Sequence, residues 1–292
     1  MIWLYLLLGV YALVLATVAW LSVRPFRTPV FLSPGALGAP QEEVSLPTTE
    51  GHTLRGWWIE PPEPKVIAVM SHGYMMNRCE LVPLAVHLVK QGVASLTIDL
   101  RAHGRSGGST CGFGIREKED IRAAVAWARE RLPGKPVILI GSSMGAAASA
   151  FVAAEDPQAV QGLVLDSAYS TLLSGMLGWW RFLGGPALSV ALAPTVVLAL
   201  PVLRCNPARV DVAESLRAIK VPVLLIHGDA DDLARPSEAV RNHAACPHAD
   251  LVWLAGCGHS EGRWIHPELY HRSVEALVAK VLAASEASKL IG

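Results

Sequence analysis

The apolar and polar positions divide the chain into an apolar start, a proline-rich stretch and an alternating body. Residues 2–23 contain no charge and no proline, and a helix of that length, at about 1.5 Å per residue, spans a hydrocarbon core of roughly 30 Å. Trp3, Tyr5 and Trp20 lie near its two ends, where amphipathic aromatic side chains favour the lipid headgroups. The pattern predicts a transmembrane helix over residues 1–23, with a cleaved signal peptide or a buried helix as the alternatives.

Two arginines after the apolar segment bear on how it is used. A signal peptide normally carries Lys or Arg before its apolar run and a small-residue cleavage site after it, whereas Arg24 and Arg27 come afterwards. By the positive-inside rule they favour the cytoplasmic side for the domain that follows. Residues 24–47 contain five prolines and two glycines, which predicts an irregular linker leading away from the bilayer. We therefore expect a single-pass anchor that takes no part in catalysis.

After the linker, short β-rich apolar runs alternate with segments of helix length. The predicted strands are 66–70, 93–98, 136–140, 163–165, 221–226 and 251–254, and the predicted helices are 80–91, 117–131, 144–155, 237–245 and 267–284. This alternation predicts an α/β fold with a mostly parallel sheet and helices on both faces. Because such sheets bind ligands beyond the carboxyl ends of their strands, we expect the reactive side chains in the loops that follow strands.

Composition narrows the class of protein. Of the 292 residues, 52% are hydrophobic and 17% are charged, and 25 basic residues balance 25 acidic ones. Such a chain is not disordered, and without a basic run it lacks the phosphate-tracking surface of a nucleic-acid-binding protein. No C-x-x-C pair and no histidine pair at metal-ligand spacing is present, so neither a metal nor a cofactor is predicted. The odd number of cysteines leaves at least one thiol free, which favours a reducing compartment. The cysteines are Cys79, Cys111, Cys205, Cys246 and Cys257.

The pentapeptide Gly141-Ser142-Ser143-Met144-Gly145 lies between a predicted strand and a predicted helix. This is the G-x-S-x-G motif in its strand-turn-helix context, where the glycines permit the sharp turn that lifts the central serine above the sheet. The amino end of the following helix favours the negative charge that develops during acyl transfer. Ser143 is therefore the predicted nucleophile. The alternative is a tight turn whose serines only cap the helix, a role that suits Ser142.

An earlier loop, His72-Gly73-Tyr74, follows the first predicted strand. Hydrolysis through a serine needs two backbone N–H groups directed at the oxyanion, one after the nucleophile and one from such a loop. Met144 and Tyr74 are the predicted donors. His72 is expected to brace the loop, because the chain order Ser, Asp, His requires a later histidine as the base.

Two later strand-end loops contain the candidates for the base and the acid. An alcohol is a weak nucleophile that needs a general base, and the base needs a carboxylate to orient it and to stabilise its cation. His259, after the last predicted strand, is the predicted base. Asp231 is the preferred acid; Asp232 and Asp229 in the same loop are alternatives, and Asp166, after an earlier strand, is a more distant one.

Together these residues resemble the α/β-hydrolase superfamily, from about Val44 to Ala284. The chain is most similar to bacterial membrane-tethered or secreted serine hydrolases that resemble the serine aminopeptidase and lipase-like group. The resemblance is carried by residues 72–78, 99–107 and 141–145 and by the pair Asp231 and His259.

The resemblance implies a triad of Ser143, Asp231 and His259, an oxyanion hole from Tyr74 and Met144, and an architectural role for the 99–107 loop. One departure concerns the acid loop, where the family usually has valine and proline soon after the aspartate. Here the segment 233–236 reads LARP, which leaves the choice between Asp231 and Asp232 open.

The hydrolase domain is predicted over residues 48–292, with a cap inserted at about 169–210. Apart from Arg181, residues 171–203 are uncharged. Their prolines are expected to break the region into short helices rather than a second membrane span. The cap is interpreted either as ordinary core or as an acyl-binding lid that touches the bilayer through Trp179 and Trp180.

The resemblance argues against a dehalogenase or an epoxide hydrolase, since those members of the fold carry an aspartate where this chain has a serine. The sequence therefore predicts a membrane-anchored serine hydrolase of the carboxylesterase or lipase-like kind. It is expected to cleave carboxylic ester or thioester bonds of apolar acyl substrates through an acyl-enzyme intermediate. The alternatives are a serine peptidase of the same fold and a catalytically silent membrane scaffold. The predicted partners are a small-molecule or lipid acyl substrate and the bilayer, without nucleic acid; the sequence does not indicate the oligomeric state.

Overall fold

The central sheet is apolar on both of its faces. In β3 (Val66–Ser71), Ile67 and Val69 pack into one hydrophobic cluster, whereas Val66 and Ala68 pack into another. Successive strand side chains point to opposite faces. Each face of the sheet is therefore covered by helices, as the near-continuous apolar strands require.

Over the residues that the computed structural model describes, 1–204, 206–207 and 210–291, one sheet of eight strands has the order β1-β2-β4-β3-β5-β6-β7-β8. The remaining strands are β1 (Glu42–Pro47), β2 (Thr53–Ile59), β4 (Val93–Asp99), β5 (Val137–Ser142), β6 (Gly162–Asp166), β7 (Val223–Gly228) and β8 (Asp250–Leu254). β2 pairs antiparallel with β1 and β4, and the other neighbouring strands are parallel. The predicted mostly parallel sheet is confirmed.

The helices around the sheet are α2 (Val82–Val89), α3 (Glu117–Arg131), α4 (Met144–Glu155), α8 (Val212–Ala218), α9 (Pro236–Ala245), α10 (Gly262–Ile265) and α11 (Pro267–Ile291). Side chains of α3, α4 and α8 join the first hydrophobic cluster, and those of α2 and α11 join the second. Short 3-10 helices lie at Gly35–Leu37 and Arg78–Leu81. The predicted coverage of both faces is confirmed.

The predicted linker is wrong at its carboxyl end, because β1 lies inside residues 24–47. Val44 and Leu46 are buried and alternate with exposed neighbours, a period-2 pattern that the many prolines of the stretch obscured. Pro47 is tolerated because it lies at the end of an edge strand, where a missing N–H breaks no ladder.

The rest of this segment does not lead away from the domain. The Arg27 guanidinium donates to four backbone carbonyls of the 99–107 loop region, those of His103, Gly104, Ser106 and Gly108. Asn77 donates to the carbonyls of Thr28 and Pro29. The segment is therefore bound to the body of the protein along its length, contrary to the expectation of a free linker.

α1 (Ile2–Ser22) is the one helix among the described residues that is long and apolar enough to cross a membrane. Its first half is exposed, but Leu15, Ala19 and Ser22 are buried on one face. Val23, which follows, is 1% exposed and packs against the region between β6 and α8. The carboxyl half of α1 is thus part of the folded domain.

The cap between β6 and α8 consists of α5 (Leu172–Leu192), α6 (Thr195–Leu198) and α7 (Leu200–Leu203). Gly184 and Gly185 have non-helical backbone angles that kink α5 just before Pro186, and Pro194 separates α5 from α6. The expected division into short helices is confirmed. Residues 205, 208 and 209 of the predicted cap lie outside the described residues, as does Cys205 among the cysteines.

Candidate active site

Ser143 occupies a strained turn between β5 and α4. Its φ of 50° and ψ of −110° place a non-glycine residue in a sparsely populated region. A Cβ on Gly141 would lie 2.4 Å from the Gly145 carbonyl oxygen, and one on Gly145 would lie 2.3 Å from that of Ser71. The flanking glycines are therefore required by close backbone approach. The Ser143 N–H donates to the Asp166 carbonyl at 2.8 Å, which ties the turn to β6.

The structure brings Ser143, His259 and Asp231 together from three different loops. His259 Nε2 lies 2.8 Å from Ser143 Oγ, and its Nδ1 lies 2.8 Å from Asp231 Oδ2. The His259 side chain is 16% exposed, whereas that of Asp231 is fully buried. The arrangement orients the imidazole so that Nδ1–H faces the carboxylate and Nε2 faces the hydroxyl.

Of the four carboxylates considered as the acid, Asp231 is the one in contact with His259. Its second oxygen, Oδ1, accepts from the N–H groups of Leu233 and Ala234. Asp232 is exposed, and Asp229 accepts from the Gly256 N–H at 2.7 Å. The segment 233–236, which departed from the family pattern, therefore still supplies two N–H donors to the Asp231 carboxylate.

The backbone N–H groups of Tyr74 and Met144 have no acceptor among the described residues. Both residues line the cavity beside Ser143. An unpaired N–H pair next to a nucleophile is what an oxyanion hole requires. The assignment of these two donors stays a prediction with favourable geometry.

His72 braces the loop before Tyr74. Its Nδ1–H donates to the Gly73 carbonyl at 2.7 Å, and its Nε2 accepts from the Leu100 N–H at 3.0 Å. Burial lowers the pKa of His72, so the neutral form that these two bonds require is favoured.

A buried ionic network lies beneath the site. Glu80 Oε2 accepts from the Gly73 N–H at 2.7 Å, while Oε1 accepts from Ser142 Oγ at 2.8 Å and from Arg263 at 2.7 Å. Arg263 also donates to Asp166 Oδ2 at 3.0 Å and to Ser142 Oγ at 2.9 Å. Ser142 is thus engaged in the network and does not cap α4.

This network joins the oxyanion loop to the nucleophile turn. Burial alone would raise the pKa of Glu80, but the Arg263 charge and the Gly73 N–H hold it below its usual value. Burial and the neighbouring Asp166 raise the pKa of Tyr270, whose hydroxyl donates to Asp166 at 3.1 Å. The roles of Glu80 and Arg263 were not predicted from the sequence. The available signal was that Glu80 lies seven positions after Gly73 and Arg263 four positions after His259.

A cavity of about 500 Å³ opens beside Ser143 and is mainly apolar. The cap contributes Leu172, Met176 and Trp179, and the body contributes Phe113 and Tyr169. Among the described residues, no group of three or more His, Cys, Asp or Glu side chains is arranged to hold a metal ion. The cavity is therefore suited to an apolar ligand that presents one polar bond to Ser143.

The end of α1 forms part of the cavity wall. Ser22 lines the cavity, and its carbonyl accepts from the Tyr74 hydroxyl at 2.8 Å. The Val23 carbonyl accepts from the Cys111 N–H at 2.7 Å. The last turn of α1 thus contacts a predicted oxyanion residue, so the helix is packed against the site; that it serves only as an anchor stays a prediction.

The two cap tryptophans face inward rather than outward. Trp180 is 8% exposed and packs against Leu15 and Leu192. Trp179 lines the cavity, and its ring meets the Tyr74 ring edge-on with centroids 5.2 Å apart. Trp180 is buried and Trp179 half-buried, so both rings connect α1, the cap and the cavity, and their contact with the bilayer stays a prediction.

Comparisons with known proteins agree with this architecture. Residues 62–204 match the family model described as serine aminopeptidase, S33. The protein YqkD of Bacillus subtilis is 29% identical over 102 residues, which are 35% of this chain and only 33% of that relative. A monoacylglycerol lipase of Mycolicibacterium smegmatis is 25% identical over 206 residues, 60% of this chain and 74% of the lipase.

Among solved structures, an esterase of Pyrococcus furiosus is similar over most of its length. It is 26% identical, with a TM-score of 0.73, and the match covers 89% of this chain and 98% of the esterase. The fold thus has a counterpart of known structure over most of the chain, and the predicted fold class is confirmed.

Proposed function

Because the chain belongs to the α/β-hydrolase superfamily and is a hydrolase, we propose that it is a membrane-anchored serine esterase for apolar acyl substrates. The observation that supports this most is the 2.8 Å contact between His259 Nε2 and Ser143 Oγ, at the edge of a mainly apolar cavity. The bond cleaved is a carboxylic ester or thioester.

In the proposed mechanism Ser143 Oγ attacks the acyl carbonyl while His259 takes its proton. Asp231 holds the imidazole in the reactive tautomer and stabilises its cation. The N–H groups of Tyr74 and Met144 stabilise the tetrahedral oxyanion. His259 then gives the proton to the departing alcohol or thiol, which leaves an acyl-enzyme. Water, activated by the same histidine, releases the acid and restores Ser143.

The chemistry of the cavity supports an ester or thioester rather than a peptide. A peptidase specific for chain termini would be expected to use a free charged group. Glu80 and Arg263 line the cavity but pair with each other, and Glu261 accepts from the Gly258 N–H at 2.8 Å. The family description as serine aminopeptidase nevertheless makes peptidase activity the second candidate to be tested.

The membrane part of the proposal rests on α1. It is 21 residues long, uncharged and predominantly apolar, and its length matches the thickness of a hydrocarbon core. Arg24 and Arg27 after it favour a cytoplasmic catalytic domain by the positive-inside rule. A single-pass anchor with the domain on the cytoplasmic side is therefore proposed.

Labelling of the full-length protein with a fluorophosphonate probe tests the catalytic proposal. We expect one labelled serine, with labelling lost in Ser143→Ala and slower but retained in Ser142→Ala, which keeps the nucleophile but loses its bonds to the ionic network. Parallel assays with p-nitrophenyl esters of graded chain length and with aminoacyl p-nitroanilides separate esterase from peptidase activity. Labelling that persists in Ser143→Ala contradicts the proposed nucleophile, and hydrolysis of the anilides alone favours the peptidase.

A further inference from the structure

The contact between α1 and the cap determines how deep the cap lies when α1 is in a membrane. The Tyr11 hydroxyl donates to the Ala191 carbonyl at 2.6 Å, and Leu15 packs with Trp180 and Leu192. Tyr11 precedes Ser22 by eleven positions, which corresponds to about 16 Å along a helix. The cap therefore accompanies α1 over roughly half of its length.

The part of α1 that is free of the cap is too short to span a bilayer. Residues 2–10 rise by about 14 Å, less than half of a hydrocarbon core of roughly 30 Å. If α1 crosses the core, the half that carries the cap also lies inside it. The cap then has to share the hydrocarbon layer with α1.

The outer surface of the cap has the chemistry that this position requires. Phe182, Val190 and Val197 are 54%, 75% and 64% exposed, and residues 182–203 contain no charge. Apolar side chains exposed in a group of this kind mark a contact with a membrane or a partner. Continuity with α1 favours the membrane.

Three polar side chains of the cap are paired internally or directed toward the body, whereas the buried Trp180 Nε1–H has no hydrogen-bond partner among the described residues. The Ser189 hydroxyl donates to the Leu177 carbonyl at 2.9 Å, and the Thr195 hydroxyl donates to the Leu192 carbonyl at 2.6 Å. Arg181, the charge at the near edge, donates to the Leu233 carbonyl at 3.0 Å. Internal pairing of this kind is what a protein surface in lipid needs.

The cavity lies directly behind this surface. Trp180 contacts Leu15 and Leu192 on one side and lines the cavity on the other. Ser22, in the last turn of α1, also lines the cavity. α1 and the cap therefore form the cavity wall themselves, and Trp180 lies between the cavity and the Leu15–Leu192 contact.

We propose that the cap enters the same leaflet as α1, to about the depth of Tyr11, and that the cavity takes its ester from lipid held in that leaflet. The substrate class is a membrane lipid ester that presents one acyl chain, because a cavity of about 500 Å³ is of the size that holds one ligand. The inference rests on the proposed esterase function for the chemistry and adds the source of the substrate.

Depth-dependent fluorescence quenching tests the position of the cap. Full-length protein with Val190→Cys is labelled with a polarity-sensitive fluorophore in liposomes that contain chain-spin-labelled lipids. Val240→Cys, 57% exposed on α9, is the matched control, and the unsubstituted chain gives the background from native thiols. We expect a blue-shifted, lipid-quenched signal at position 190 and a water-like one at position 240. Quenching at position 190 by aqueous iodide, without quenching by lipid, would overturn the proposal.

A second measurement separates this inference from the esterase function. Val190→Asp should lower the rate on a monoacyl ester embedded in liposomes by roughly tenfold, because a carboxylate is costly in hydrocarbon. The rate on soluble p-nitrophenyl butyrate should stay within twofold, and Val240→Asp should change neither rate. Equal loss of both rates in Val190→Asp, or no loss of the lipid rate, contradicts entry from the leaflet. Absence of all hydrolysis in the unsubstituted protein contradicts the esterase proposal instead.

Discussion

Two walls of opposite chemistry bound the cavity at Ser143. Beneath the nucleophile lies the ionic network of Glu80, Arg263 and Asp166, in which each buried charge has a fixed partner. On the other side lies the apolar wall of α1 and the cap, where Met176 and Trp180 contact neighbours only through packing. The difference separates two tasks, since directional bonds fix the geometry of the reaction and packing selects the shape of the substrate.

The two walls should therefore respond differently to substitution. A change in the ionic network moves the oxyanion loop through Gly73 and the nucleophile turn through Ser142, so it should lower the turnover of every substrate. A change in the apolar wall alters the space available to an acyl chain, so it should alter the preference among substrates. The kinetics of variants in each wall make this distinction measurable.

The largest effect is expected at the acid that orients His259. Asp231→Asn should lower kcat by about 10⁴, because an amide favours the wrong tautomer of the imidazole. Asp232→Asn, at the exposed neighbouring position, is the control and should change kcat little. Steady-state kinetics on a short ester measure both; the reverse pattern would assign the acid to Asp232.

The next effect concerns the ionic network. Arg263→Met leaves Glu80 and Asp166 buried without their cation, which should cost about 3–5 kcal/mol of unfolding free energy. Arg241→Met removes an exposed ion pair with Asp211 and should cost no more than about 1 kcal/mol. Urea unfolding monitored by tryptophan fluorescence measures both. Equal costs would mean that the network contributes no more than a surface pair.

The same network predicts a dependence of stability on pH. The Arg263 charge and the Gly73 N–H hold the pKa of Glu80 in the folded protein below its ordinary value of 4.5. Its contribution to stability is therefore present above that value and is lost as pH falls through the folded pKa. Between pH 6 and the acid transition, the free energy of unfolding should therefore fall less in Glu80→Gln than in the unsubstituted protein. Calorimetry at a series of pH values measures this fall in both proteins. Parallel curves for the two proteins would contradict the assigned role.

Much of this architecture could be predicted from local sequence patterns. The six strands β3 to β8 were predictable because their apolar runs are short and uninterrupted. Ser143 and His259 were predictable because each follows a strand. The pairing of Arg263 with Glu80 was not, since the two are 183 positions apart and no periodic pattern relates them. β1 was missed because the prolines around Val44 and Leu46 concealed their alternation.

The apolar wall should control the preference for acyl length. Met176→Ala enlarges the cavity next to Leu172. The ratio of kcat/KM for long p-nitrophenyl esters to that for short ones should therefore rise by roughly tenfold, because each methylene that a pocket accommodates contributes about 1–3 kcal/mol. Leu173→Ala, on the exposed side of α5, is the control and should leave the ratio unchanged. An equal fall for all chain lengths in Met176→Ala would show that this wall affects the reaction geometry as well.

The smallest effect is expected from truncations that distinguish anchoring from participation of α1 in the site. Removing residues 1–10 deletes only the part of the helix that is exposed and free of the cap, so kcat on a soluble ester should stay within twofold. Removing residues 1–24 also deletes the carbonyls of Ser22 and Val23 that accept from Tyr74 and Cys111. The loss of the hydrogen bond to Tyr74 at the oxyanion loop and of that to Cys111 in a neighbouring loop, worth about 1 kcal/mol each, should lower kcat by several fold to tenfold. Circular dichroism establishes that both truncated proteins are folded before their rates are compared. Equal kcat for the two would mean that α1 is an anchor alone, as the sequence first suggested, and that the apolar wall of the site begins at the cap.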